Sequence, residues 1–164
     1  MSVQLTYNYK TNKGIAGGIY DMYHYPVDSR INEENTGVLT FGMGVVRGTL
    51  AGTQIKKPVA ASTAAVFEGV LVNGFTNQHD LEGHVYLLNN QNVGVRKKGR
   101  IWVKLATGAE PAYGSEVHLV VSGDDAGCFT TTGGVKLAGR FIGAADNGIA
   151  PVELDGVDVP VASN

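Results

Sequence analysis

Apolar and polar positions divide the chain near residue 36, and short apolar runs with turn chemistry between them dominate the remainder. Gly37, Val38, Leu39, Thr40 and Phe41 alternate, then continue through Gly42 and Gly44 into Val45, Val46, Arg47 and Gly48. A more polar stretch ends at Pro58, and residues 60–65 are the one candidate helical turn. Residues 66–72 read as a strand closed by Asn73-Gly74, a strong turn signal. Further runs lie at 85–88, 93–96, 100–105, 116–121, 127–131, 136–143 and 150–154. The clearest alternation puts Ile101, Val103 and Leu105 on one face and Arg100, Trp102 and Lys104 on the other. With 93–96, that run is expected to form a hairpin whose tip is basic. This rhythm of short strands predicts an all-β fold, a small β-barrel-like or β-sandwich-like domain.

Residues 1–36 lack this pattern. They hold five of the seven tyrosines (Tyr7, Tyr9, Tyr20, Tyr23 and Tyr25) and sustain neither a helical nor a strand period. A segment of this kind cannot build its own core, yet it is too aromatic for a typical disordered tail. Tyrosine covers area at low entropic cost and keeps a polar handle. The expectation is an extended N-terminal arm, 1–36, preceding a single folded domain, 37–164. The arm lies either on a partner or back on its own domain, and the enrichment of tyrosine at interfaces favours the partner.

Composition narrows the function. Charged residues make up only 17% of the chain and the net charge is −2, so no global basic field draws it to nucleic acid. The charge is unevenly spread: residues 91–104 carry five bases (Arg96, Lys97, Lys98, Arg100 and Lys104) and no acid. The single cysteine, Cys128, forms no intrachain disulfide. The N-terminus has no apolar stretch of the signal-peptide kind, and no apolar run nears the roughly 20 residues of a membrane helix. An intracellular product with no membrane partner is expected.

No nucleophile–base pair or G-x-S-x-G elbow can be named, so the chain is expected not to be an enzyme. Cys128 sits in a strand pattern and reads as a small buried hydrophobe. His118 reads as a surface histidine on the wetter face of its strand. His79, Asp80, Glu82 and His84 form a dense ionisable cluster, but their spacing matches no zinc signature, and no metal or cofactor is expected. The glycine-rich run 42–48 lacks the Lys-Ser/Thr of a phosphate loop and reads as turns or bulges. Arg96, Lys97, Lys98 and Arg100 could meet phosphates and Trp102 could stack on a base. Five bases on an acidic chain are nevertheless a thin footprint for nucleic acid, and a solvated turn or an acidic protein partner explains them as well.

Five stretches then carry a family resemblance: 65–70, 93–103, 114–118, 136–141 and 150–154. Their order, with a basic and apolar strand pair, a Gly-x-x-Val strand, a small-Gly-Arg-aromatic strand and a final Val-x-Leu strand, resembles the structural cement (decoration) proteins of tailed bacteriophages, over residues 60–156. The resemblance implies a cofactor-free β-barrel-like protein on the outer face of the mature capsid, made in the host cytoplasm. It implies a homo-oligomer that bridges major capsid protein subunits; a dimer is favoured over a trimer. Expected contact residues are Tyr7, Tyr9, Tyr20, Tyr23 and Tyr25 in the arm, with Arg96, Lys97, Lys98, Arg100 and Trp102 at the basic strand pair. Removing residues 1–25 is expected to abolish capsid binding and leave the domain folded. A tail or baseplate component and a small nucleic-acid-binding barrel are the alternatives.

Overall fold

The computed structural model describes residues 13–23, 25–74, 78–79 (backbone only) and 85–156. Its strands are β1 (Asp28–Asn32), β2 (Gly44–Arg47), β3 (Gln54–Lys56), β4 (Phe67–Leu71), β5 (Gln78–His79), β6 (Val85–Tyr86), β7 (Asn92–Arg96), β8 (Gly99–Lys104), β9 (Glu116–Leu119), β10 (Phe129–Thr130), β11 (Val135–Phe141) and β12 (Ile149–Leu154). The expected helical turn is a single 3-10 turn, Ala64–Val66. The fold is all-β.

Strands β1-β3-β2-β4-β7 close into a barrel, and β10-β9-β11-β12-β8 form a second sheet. A bridge between Leu105 and Phe129 joins the two ends of that sheet. Leu39, Met43, Val45, Ile55, Leu71, Leu87, Val93 and Val95 fill the barrel. Ile101, Val103, Val117, Leu119, Phe129, Leu137, Phe141, Val152 and Leu154 form the core under the second sheet. Strand β4 is buried along its whole length, because Phe67 and Val70 serve the second core while Leu71 serves the first. That double duty explains why its sequence is apolar without clean alternation.

Two arrangements differ from the sequence expectation. The barrel begins at Asp28, inside the segment read as an arm. Strand β1 is polar, and register with β3 and β7, not an apolar face, holds it. Its buried Asn32 donates to the Leu88 carbonyl at 2.8 Å and accepts from the Glu34 N–H at 2.9 Å. Arg30 and Arg47, which stand opposite the barrel-filling Val93 and Ile55, flank the buried Glu68 at 3.6 and 3.7 Å. The second difference concerns β7 and β8, which do not form a hairpin. β7 already has β1 and β4 on its two edges, and β8 pairs with β12. Lys97 and Lys98 therefore turn a corner between barrel and sheet.

Candidate functional site

The tyrosine segment and the basic run meet at that corner. Strand β8 starts at Gly99 with φ +107°, and a Cβ there would run into the Tyr25 ring, so both backbone sign and space call for glycine. Residues 13–23 lie as a strap along the free edge of β8. The Gly17 N–H donates to the Trp102 carbonyl (2.8 Å), the Trp102 N–H to the Gly18 carbonyl (2.9 Å) and the Tyr20 N–H to the Arg100 carbonyl (3.3 Å). Ile19 forms an antiparallel bridge to Ile101. A Cβ on Gly14 would collide with the Trp102 indole, so the strap lies flat on that ring. For residues 13–23, then, the segment folds back on its own domain.

Arg96 binds the two segments together. Its side chain is 1% exposed. Nε donates to the Lys98 carbonyl at 3.1 Å, one terminal nitrogen to the Tyr23 carbonyl at 3.1 Å, and the other to the Arg100 carbonyl at 3.5 Å. The guanidinium carbon sits 5.3 Å from the centroid of the Tyr25 ring. Burial lowers the pKa of Arg96, against the attraction of Asp21 and Tyr25. Arg100 donates to Glu153 at 3.0 Å and lies 3.9 Å from Asp21. Glu153 also accepts from Arg140 at 3.1 Å. The bond to Arg100 holds the Glu153 carboxyl below its ordinary value, and the same bond raises Arg100.

The expected contact residues therefore sort into supports and displayed groups. Trp102 is 6% exposed, beneath Gly14 and with Tyr20 at 5.8 Å between ring centroids. Its ring has no free face for a base, so the stacking weighed for the nucleic-acid alternative finds no surface there. Arg96 is internal, and Arg100 is half-exposed but ion-paired. Tyr25 is half-buried against Tyr23, 4.8 Å between centroids. Tyr20, Tyr23, Lys97 and Lys98 reach the surface, Lys97 less than the others. Neither lysine forms an ion pair among the described residues. Tyr7 and Tyr9 lie outside the described residues, as do Asp80, Glu82, His84 and the His79 side chain.

Sequence reasoning missed Ile15, Ile19 and Met22, which the strap exposes, Met22 completely. Their signal was available: apolar residues in a segment with no period to bury them. Elsewhere, His118 Nδ1 is 2.7 Å from the Gly133 carbonyl and its Nε2 is 3.4 Å from Glu116. Lys136 also bonds Glu116, at 2.6 Å, and these two neighbours lower the Glu116 pKa, Lys136 the more strongly. Cys128 is buried, which pushes its thiol pKa up and away from nucleophilic use. Among the described residues no cluster of His, Cys, Asp and Glu could hold a metal ion.

The family model described as structural cement protein (E217 gp24/Pam3 gp6) matches residues 3–155. The chain belongs to this phage structural cement protein family. The match takes in the strap and most of the N-terminal segment, beyond the 60–156 span of the sequence resemblance. A structural cement protein is a virion component with a structural role in the capsid. The cement protein also shares its fold with a chain from "The capsid of Myoviridae Phage XM1", at TM-score 0.70 and 16% identity, covering 94% of this chain and 98% of that one. A search of curated proteins found no match.

Proposed function

We propose that this cement protein binds the outer face of the phage head as a homo-oligomer, a dimer before a trimer, and bridges neighbouring major capsid protein subunits. The observation that carries this reading, beside the family, is the strap. Its backbone is pinned to β8 while Ile15, Ile19, Tyr20, Met22 and Tyr23 stay exposed. Holding large apolar side chains in water on a fixed backbone is the mark of a preorganised contact surface. Tyr20, Met22 and Tyr23 with Lys97 and Lys98 are the proposed contacts. Tyr25, Arg96, Arg100 and Trp102 hold them in place.

Point variants test this better than truncation. Removing residues 1–25 takes the cover from Trp102 and the Tyr23 carbonyl from Arg96, so loss of binding would not be separable from loss of packing. Purified protein is sedimented with mature capsids that lack it. Saturable pelleting at a fixed ratio to capsid protein is expected, and Met22→Asp with Tyr23→Ser should reduce it at least tenfold while circular dichroism is unchanged. Folded wild-type protein that does not pellet would overturn the reading.

A further inference from the structure

We propose that a cavity beside Lys97 seats an apolar anchor side chain carried by an acidic segment of the capsid protein. This rests on the capsid-binding reading above and adds the chemistry of the segment bound. The cavity, about 150 Å³, opens between the 3-10 turn, the start of β4 and strands β11 and β12. Phe67, Leu137 and Leu154 line it with Ala64 and Ala138, and Lys97 stands among them. An apolar cavity of roughly 150 Å³ holds a benzene-sized guest. A leucine or phenylalanine side chain therefore matches it, whereas an indole exceeds it.

The charge beside the cavity selects what flanks the anchor. Lys97 and its neighbour Lys98 have no carboxylate partner among the described residues. The arginines around them are already engaged: Arg96 with backbone carbonyls, Arg100 and Arg140 with Glu153. An aspartate or glutamate next to the anchor would pair with these ammonium groups. The Lys97–Lys98 corner is also continuous with the strap, because one guanidinium bonds the carbonyls of both Lys98 and Tyr23. A segment running past Tyr23 thus meets the two lysines and then the cavity. In such an arrangement the pocket supplies hold and the rim charge supplies orientation.

Two variants address the two halves. Ala138 is exposed on β11 at the cavity, so Ala138→Phe offers the space a ring of matching size. Lys97→Glu reverses the charge. Each is expected to weaken binding to mature capsids lacking the protein by tenfold or more, with unchanged circular dichroism, while Lys97→Arg binds like wild type. Wild-type binding that neither variant alters would sink the cavity proposal and leave the capsid reading intact; absence of wild-type binding would sink the reading itself. A change in the sedimentation coefficient of the free protein with Ala138→Phe, and none in capsid affinity, would put a second copy in the cavity and overturn the proposal. So would a truncation at Gly156 that lowers capsid affinity tenfold and makes the two variants silent, since the chain's own last residues would then be the occupant.

Discussion

The Arg96 guanidinium is enclosed with no carboxylate bonded to it among the described residues, and backbone carbonyls from two separate segments meet its donors. A fork of planar donors can span such carbonyls, whereas the compact ammonium of a lysine cannot. Arg96→Met keeps the stem and removes the donors, leaving the Tyr23 and Lys98 carbonyls without their charged partner. Hydrogen bonds to charged groups contribute about 1.5–3 kcal/mol each, and stranded buried acceptors add to the cost. The expected loss is about 2–4 kcal/mol in urea unfolding. Emission of the single tryptophan, Trp102, should shift to the red as the strap over it loosens. Arg96→Lys should recover less than half of the loss. Lys97→Ala, by contrast, removes no internal bond and should stay within about 0.5 kcal/mol of wild type. A loss for Arg96→Met as small as that would mean the strap is held by its β8 pairing alone.

At the scale of elements, the outer face of the second sheet is tied by charge across strands. Glu153 on β12 accepts from Arg100 on β8 and from Arg140 on β11. Its folded pKa is depressed, so the unfolded chain binds that proton more tightly. The contribution is complete above the unfolded value of about 4.3 and is lost as pH falls through the lower folded value. Glu153→Gln should therefore flatten the acid limb of a stability–pH curve measured by urea melts. Because both arginines are half-exposed, the cost at pH 7 is about 1 kcal/mol or less. An acid limb as steep in the variant as in wild type would assign it to other carboxylates, such as Glu116 and Glu33, which are also lowered. These elements were legible to different degrees. Strands β4 and β8 to β12 carry enough apolar residues to be read from pattern. Strand β1 was not legible, because it closes the barrel through register and a buried Asn32, neither of which leaves an apolar pattern. Alternation at 93–105 marks two strands but not their partners, hence the expected hairpin where a corner stands. The basic run was visible as composition. The cavity beside it was not, since Phe67, Leu137 and Leu154 meet there only through tertiary packing.

For the whole molecule, the proposed role is mass action on a lattice. A ligand that binds the assembled shell and not its dissociated subunits stabilises the shell by RT ln(1 + [L]/Kd), about 2.7 kcal/mol per site at a hundredfold excess over Kd. Two sheets packed into one body give a rigid support, and a pinned strap loses little freedom on docking, so more of the contact energy reaches the lattice. A homo-oligomer gripping two subunits adds effective concentration to this. Mature capsids lacking the protein should accordingly disassemble at a temperature that rises with the logarithm of added protein once Kd is passed. Lys97→Glu should move that curve to at least tenfold higher concentration without changing its slope, because it alters affinity and not the number of bridges. A disassembly temperature indifferent to saturating wild-type protein would show binding without bridging. The protein would then decorate the shell without cementing it, since a ligand that grips one subunit adds nothing to the contact between two.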